Sequence, residues 1–215
     1  LSMRARVMID NYHSPWPGYW RQTAKTGDSP VYDHTYVDGG YSKYPTEAMS
    51  RVRYDAIRDV FGSFESVMDV GYGNGAFLQY CNDKGHETYG FDISEYPLPS
   101  KTKRAVSLSN TNVDLVTFYD SLEHFDCDLV PVLQSLRTHK LVISVPWLHS
   151  AMGPTWFAQW KHRKENEHLH HFDLIGLQTL VTAAGYTVLC HDNNEDVVRT
   201  SVTSLPNILT VFAIR

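Results

Sequence analysis

A short apolar strand that runs directly into a glycine-rich turn is the feature that most constrains the fold of this chain. Residues 67–75 read VMDVGYGNG, and the apolar residues that follow them recur at helical spacing. Gly71, Gly73 and Gly75 permit positive φ and let the backbone approach a ligand more closely than a Cβ atom would. In α/β proteins a turn of this kind holds a nucleotide, with backbone N–H groups directed at it. We therefore expect free N–H donors at this turn.

Two classes of cofactor use such a turn, because residues 71–76 also satisfy the dinucleotide fingerprint. Asp69, two residues before the first glycine, distinguishes them. Its carboxylate would repel a pyrophosphate, whereas it would attract the ammonium group of S-adenosylmethionine. Asp92 ends the next apolar strand, 21 positions after Gly71, where a carboxylate can accept hydrogen bonds from a ribose diol. The two acids favour S-adenosylmethionine over NAD.

Longer segments around these acids resemble the class I S-adenosylmethionine-dependent methyltransferases, especially the small-molecule group that includes ubiquinone-biosynthesis enzymes. They read VMDVGYGNGAFLQYCNDKGHETYGFDIS at 67–94 and VDLVTFYDSLEHF at 113–125. A third, HLHHFDLIGLQTLVTAAGYTVL at 168–189, is similar to the family's histidine-containing loop before its last large helix. The resemblance covers residues 66–215. Tyr72 departs from the family pattern, in which a small residue stands there, and Pro97 and Pro99 interrupt the helix expected after Asp92.

Strands alternate with helical patterns along most of the chain, which predicts right-handed crossovers and a parallel sheet. Together with the resemblance, this indicates an α/β fold: a doubly wound, mostly parallel, seven-stranded Rossmann-like sheet with an antiparallel last strand and an aromatic N-terminal extension. Residues 1–62 are predicted to form that extension, of ordered irregular structure, and an entry helix at 46–61. Residues 63–215 are predicted to form the cofactor-binding core, with a substrate insert at 147–172.

Sequence periodicity also predicts the other elements of the core. Strands are expected at 67–70, 88–92, 104–108, 113–119, 140–146, 186–190 and 208–214, and helices at 75–84 and 127–137. Asp173 is expected to cap one more helix, which Gly185 ends.

The resemblance implies which residues contact S-adenosylmethionine and its product S-adenosylhomocysteine. They belong to the glycine turn and to the ends of the second and fourth core strands: Asp69, Gly71, Tyr72, Gly73, Gly75, Asp92, Ile93, Tyr119 and Asp120.

Methyl transfer requires a nucleophile held about 3 Å from the methyl carbon, and a base helps when the nucleophile is a phenol, hydroxyl or amine. His124, His168 and His170 are the candidate bases. His124 follows the fourth strand, whose carboxyl end faces the crevice of a doubly wound sheet. The alternative is a structural role, in which Glu123 and His124 hold the loop in place.

Three roles are open for the cluster of Glu167, His168, His170 and His171: acceptor contact or proton transfer, loop structure, and metal binding. His168 and His170 are expected to share a face of an extended segment. Since no HExxH motif, cysteine partner or fixed carboxylate spacing is present, we predict no metal ion.

Large aromatic side chains in the insert favour a flat or apolar acceptor. Trp147, Trp156 and Trp160 are therefore predicted to bind the acceptor, together with His171. The alternative is that these side chains cover the edge of the sheet.

The predicted function is methyl transfer to an oxygen or nitrogen of a small-molecule acceptor. A net charge of −5 opposes broad binding to nucleic acid, but the basic segment WKHRK at 160–164 leaves a tRNA or nucleic-acid methyltransferase as an alternative. A non-catalytic S-adenosylmethionine-binding module is another, and an NAD-dependent oxidoreductase has the least support. No apolar run approaches the roughly 20 residues that a membrane span needs. No signal-peptide pattern or disulfide framework is evident either, which predicts a cytoplasmic protein without a membrane span.

Overall fold

A computed structural model of the protein describes residues 11–28, 30–31, 46–94, 96–199 and 204–215. Its strands are β1 (Tyr12–His13), β2 (Tyr19–Gln22), β3 (Ser66–Val70), β4 (Glu87–Phe91), β5 (Lys103–Arg104), β6 (Leu115–Tyr119), β7 (Lys140–Pro146), β8 (His170–Phe172), β9 (Thr187–Asp192) and β10 (Ile208–Ile214). Its α-helices are α1 (Thr46–Phe61), α2 (Ala76–Asp83), α3 (Leu129–Ser135), α4 (Gly153–Gln159) and α5 (Leu174–Ala183).

A seven-stranded sheet forms the centre of the molecule, in the order β5-β4-β3-β6-β7-β10-β9. The strands from β5 to β7 run parallel, whereas β10 is antiparallel to both β7 and β9. The predicted Rossmann-like sheet with an antiparallel last strand is thus confirmed. The chain order reverses between β3 and β6, and open α/β sheets bind ligands in the crevice at such a switch point.

Helices cover both faces of this sheet, because its central strands are apolar on both sides. On one face Val67 packs with Ile57 of α1 and Phe77 of α2. On the other face Met68 lies in the cluster that includes Leu133 of α3 and residues of α5. Burial of each such side chain contributes about 1.5–3 kcal/mol, so the two layers hold the crevice on a rigid base.

The N-terminal extension and the insert meet in a second sheet of order β1-β2-β8. Strand β2 pairs antiparallel with β8, with Tyr19 opposite Phe172 and Arg21 opposite His170. The prediction of irregular structure was wrong for these strands, because their partner lies in the insert and no local pattern reveals it. Residues 1–10, 29 and 32–45 of the predicted extension lie outside the described residues.

Most predicted boundaries agree with the structure, and α1, β7 and β10 match theirs. The strand expected at 104–108 is only two residues long, Lys103–Arg104. Between β4 and β5 the described residues form no helix, consistent with Pro97 and Pro99. No helix within the described ranges is long and apolar enough to cross a membrane.

Candidate functional site

A large cavity opens at the carboxyl ends of β3, β4 and β6. Its volume is about 1250 Å³, above the roughly 300–1,000 Å³ typical of small-ligand pockets. At one end, which we call the turn half, it is lined by the glycine turn, Asp69, Asp92 and Ile93. At the other end, the histidine half, it is lined by Glu123, His124, Lys161, His162, Lys164, Glu167 and His168.

The glycine turn has the backbone conformation that its sequence predicts. Gly71, Gly73 and Gly75 have φ of 77°, 52° and 75°. A Cβ atom on Gly71 would lie 2.4 Å from the Cβ of Ser121, so this position has no room for a side chain. The glycines themselves do not supply free donors, because each of their three N–H groups already has an acceptor within the protein: Phe91 O, Asp92 Oδ2 and Tyr72 O, respectively. The glycines therefore leave room for neighbouring side chains, such as that of Ser121 beside Gly71.

Asp69 lies buried in the wall of the turn half, with 3% of its surface exposed. The hydroxyl of Thr117 on the neighbouring strand donates to its Oδ1 at 2.7 Å. Burial raises the pKa of Asp69 to about 7, although the Thr117 hydrogen bond and the charge of Arg53 act in the opposite direction. A cationic ligand group beside Asp69 would stabilise its ionised form.

Asp92 is held rigidly by two backbone groups. Its Oδ2 accepts from the N–H of Gly73 at 3.0 Å and its Oδ1 from that of Ser94 at 2.7 Å. Each carboxylate oxygen has a further lone pair for a ligand hydroxyl. The next residue, Ile93, is 77% exposed and lines the cavity, so it offers an apolar surface that a flat ring could cover.

Tyr72 fills the space beside the shortened segment that follows β4. Its hydroxyl donates to Tyr96 O at 2.6 Å and accepts from Arg104 Nη2 at 3.0 Å. A Cβ atom on Gly90 would come within 2.8 Å of the Tyr72 ring and 2.5 Å of Leu98. The large side chain of Tyr72, where the family pattern has a small residue, therefore fits only because Gly90 on β4 has no side chain.

Two arginines and two acids form a buried network next to Asp69. Arg53 of α1 donates to both carboxylate oxygens of Glu195, at 3.1 and 2.9 Å, and Arg199 donates to Glu195 Oε2 at 2.7 Å. Burial tends to raise the pKa of Glu195, but the two guanidinium groups lower it to about 2. Both arginines also contact Asp120, which has a φ of 51°, and Arg53 lies 4.0 Å from the centre of the Tyr119 ring.

Sequence reasoning missed three members of this network. Arg53 stands on the polar side of an amphipathic helix, where an exposed arginine is the ordinary interpretation, and only the i,i+4 spacing of Glu195 and Arg199 indicates a local pair. Asp120 was predicted at the cofactor and does line the cavity. Its carboxylate, however, is bound by the two arginines.

Glu123, His124 and His168 form a buried group in the wall of the histidine half. Glu123 is 1% exposed, and His124 Nε2 lies 3.9 Å from its Oε1. Burial raises the pKa of Glu123 well above its usual range, and lowers the pKa of His124 to about 4. Burial and the neighbouring His124 also lower the pKa of His168. Both imidazoles are therefore neutral at pH 7.

Charged side chains also line the histidine half. Lys164 pairs with Glu167 at 2.8 Å and Lys25 pairs with Asp126 at 2.7 Å, while Lys161 is exposed at the cavity. This wall differs from the flat, apolar one that the tryptophans of the insert predict.

A family profile described as a methyltransferase domain matches residues 42–191. The chain belongs to this methyltransferase family. No curated protein matches its sequence.

Several solved structures resemble the protein. A Clostridium acetobutylicum S-adenosylmethionine-dependent methyltransferase has 10% identity and a TM-score of 0.59, with 84% of this chain and 96% of that one covered. Burkholderia thailandensis 1,6-didemethyltoxoflavin-N1-methyltransferase has 16% identity and a TM-score of 0.57, with coverage of 95% and 99%. Synechocystis magnesium protoporphyrin IX methyltransferase has 15% identity and a TM-score of 0.57, with coverage of 88% and 90%. At these identities the likeness shows the fold alone.

In this methyltransferase His170 lies behind the cavity wall. Its Nδ1 is hydrogen-bonded to the Tyr19 hydroxyl at 2.5 Å and its Nε2 to Phe125 O at 2.7 Å. The expected shared face of His168 and His170 was wrong, since His168 precedes β8 and does not follow its alternation. Both ring nitrogens are hydrogen-bonded, so His170 links strand β2 to the loop that follows β6. This placement does not support a role as a base.

Among the described residues that line the cavity, none is a tryptophan. The predicted acceptor residues Trp156 and Trp160 stack on each other at 5.4 Å, and His171 lies 5.6 Å from Trp160 between ring centres. Trp147 stacks on His149 at 5.8 Å. This placement does not support acceptor binding by these four residues; their rings pack on one another within the insert and on its neighbours.

Proposed function

We propose that the protein transfers a methyl group from S-adenosylmethionine to an oxygen or nitrogen of a small-molecule acceptor. The observation that carries this proposal is the continuous cavity of about 1250 Å³ that joins the glycine turn to the histidine half. Its volume leaves room for an acceptor beside a nucleotide-sized cofactor. The Burkholderia and Synechocystis enzymes were both solved with S-adenosylhomocysteine, and their names give small-molecule acceptors.

The residues of the turn half fit this cofactor. Asp69 offers a carboxylate to the ammonium group, and Asp92 has lone pairs for the ribose hydroxyls. Ile93 offers apolar surface to the adenine, and the lack of a side chain at Gly71 lets Ser121 pack against the turn. Tyr72, Gly73, Gly75, Tyr119 and Asp120 complete the proposed cofactor site. When bound, S-adenosylmethionine supplies an electrophilic methyl group on a sulfonium.

The histidine half would hold the acceptor. Its nucleophilic atom must lie in line with the sulfonium methyl and away from water, so positioning is the main requirement. His124 and His168 are neutral at pH 7, and each can hydrogen-bond to an acceptor hydroxyl or amine. Because the pKa of His124 is about 4, it is a weak base at neutral pH. Its contribution is therefore to orient the acceptor.

The side chains of the basic segment 160–164 point to different places, which favours a small, polar acceptor over a nucleic acid. Lys161, His162 and Lys164 line the cavity. Arg163 turns away, to within 5.2 Å of the centre of the Tyr12 ring. These cations are therefore divided between the interior of a cavity and an aromatic cluster, whereas a nucleic-acid site needs a continuous basic surface.

Calorimetry with S-adenosylhomocysteine and NAD tests the cofactor assignment. We expect the wild type to bind S-adenosylhomocysteine and not NAD, and Asp92→Ala to weaken that binding by about 10- to 150-fold, the equivalent of 1.5–3 kcal/mol for hydrogen bonds to a charged group. Asp126→Ala, at the acceptor end, is the matched control and should leave it unchanged. Equal affinity of the wild type and a folded Asp92→Ala variant would contradict the assignment. Methyl transfer is then measured as S-adenosylhomocysteine release across a panel of polar hydroxyl and amine acceptors, and no release with any acceptor would favour a non-catalytic binding module.

A further inference from the structure

We propose that Glu123, His124 and His168 form a binding site for a divalent metal ion in the histidine half of the cavity. One carboxylate oxygen and one ring nitrogen of each histidine all lie within 4.8 Å of one another. The sequence predicts no metal ion, because it contains no HExxH motif, no cysteine partner and no fixed carboxylate spacing. The three groups meet only in the folded chain.

The unpartnered polar atoms of this group are the main evidence. Both carboxylate oxygens of Glu123 are buried and have no hydrogen-bond partner among the described residues, and the same is true of His168 Nδ1. Buried carboxylates nearly always have partners, because an unpaired one costs several kcal/mol. Since one carboxylate oxygen of Glu123 lies close to a ring nitrogen of each histidine, a single cation would satisfy this buried carboxylate.

The local backbone explains why these side chains converge. Leu122–His124 form a single 3-10 turn directly after β6, which fixes Glu123 and His124 relative to the sheet. The N–H of Leu169 then donates to Glu123 O at 2.8 Å. This bond brings His168 against the turn, so the site depends on the contact between the core and the insert.

The three ligand atoms lie farther apart than in a tetrahedral site and would have to move closer on metal binding. Metal bonds of about 2.0–2.2 Å place neighbouring tetrahedral ligands roughly 3.4 Å apart, and Glu123 Oε1 lies 3.9 Å from His124 Nε2. Two imidazoles and one carboxylate are a donor set that suits Zn²⁺, Mn²⁺ or Co²⁺. All three residues line the cavity, so the remaining coordination positions would face the acceptor.

The role of this site rests on the proposed function and commits the acceptor atom to oxygen. An acceptor hydroxyl bound to the ion would release its proton to water more readily, because a divalent cation stabilises the alkoxide or phenolate. The oxygen would then form a bond to the methyl carbon as the carbon–sulfur bond breaks. The electron pair of that bond stays on sulfur, which leaves neutral S-adenosylhomocysteine.

Cobalt titration of the full chain after dialysis against chelator tests the site directly. Visible absorption should report one Co²⁺ per chain, and Zn²⁺ should displace it. We expect Glu123→Gln and His168→Gln to weaken binding at least tenfold, while the exposed His139→Gln, a matched histidine control, leaves it unchanged. Circular dichroism establishes that each variant is folded. If one variant does not fold, the other and the wild-type stoichiometry carry the test.

Less than one equivalent of Co²⁺ bound by the folded wild type at millimolar concentration would overturn the proposal. Binding that both ligand variants retain would also overturn it, since the ion would then lie elsewhere. Calorimetry with S-adenosylhomocysteine on the same samples keeps the two proposals separate. Retained S-adenosylhomocysteine binding without a metal overturns only the metal site, whereas stoichiometric cobalt without S-adenosylhomocysteine binding overturns only the cofactor assignment.

Discussion

Replacement of Asp69 by asparagine should make the protein more stable at alkaline pH. Burial raises the pKa of Asp69 from 3.8 to about 7, so the folded state favours the neutral carboxyl. The stability that this neutral form contributes is complete below about pH 4 and is lost as the pH rises through 7. A difference of about three pKa units corresponds to roughly 4 kcal/mol, which is the upper limit of what Asp69→Asn would recover at pH 8. Asparagine retains an oxygen that can accept from Thr117.

The same substitution should weaken cofactor binding and remove its dependence on pH. If the ammonium group of S-adenosylhomocysteine requires an ionised Asp69, about one tenth of the wild type is ready to bind at pH 6 and about nine tenths at pH 8. Wild-type affinity should therefore rise about tenfold between these pH values, and the affinity of Asp69→Asn should stay flat and lower at pH 8.

Calorimetry from pH 5.5 to 8.5, with thermal unfolding at each pH, measures both effects. Asp126→Asn is the matched control and should keep the wild-type slope. A wild-type affinity that does not change with pH would refute the assignment of Asp69 to the ammonium group. An equal slope in Asp69→Asn would show that another group titrates.

Two other structural features lead to specific predictions. Gly71→Ala should abolish S-adenosylhomocysteine binding and lower the melting temperature by more than Gly62→Ala does. Both glycines have positive φ, of 77° and 68°, but of the two only Gly71 has another atom within 3 Å of the added Cβ. Equal losses of stability in the two variants would contradict this steric argument. Arg53→Met should cost about 3–5 kcal/mol in urea unfolding, since it removes one partner of the buried Glu195, and Glu195→Gln in the same chain should recover part of the loss; an additive double mutant would show that the two side chains do not interact.

The turn half could be predicted from the sequence because its parts are local. Asp69 lies on β3, the glycines form the turn that follows it, and Asp92 comes directly after the next strand, β4, so strand pattern and spacing are enough to place them together. The capping role of Asp173 was predicted for the same reason, and its Oδ1 accepts from the N–H of Gly176 at 2.9 Å. Local hydrogen bonds and side-chain periodicity determine such features, and both can be read from neighbouring residues.

The histidine half could not be predicted in this way. Its wall depends on the pairing of β2 with β8, which joins segments about 150 residues apart, and on the bond from Leu169 to the turn of Glu123. Tryptophans in the insert satisfy two patterns equally well, that of a ligand pocket and that of a packed cluster. Only the second sheet decides between these interpretations, and it turns the tryptophans away from the cavity and the lysines toward it.

The charge balance of the network next to Asp69 explains how the cavity could accept a zwitterion. Arg53 and Arg199 are matched by Glu195 and Asp120, so this buried group is neutral before any ligand arrives. Burial raises the pKa of Asp69, and the nearby Asp92 and Glu195 act in the same direction against the opposing charge of Arg53. In the proposed cofactor site an amino-acid group would bring its own ammonium to Asp69 and its own carboxylate to the side of the arginines, which would add no net charge to the site. A ligand that lacks the ammonium would instead have to bind the neutral form of Asp69, which is favoured below pH 7, so discrimination against such a ligand should weaken as the pH falls.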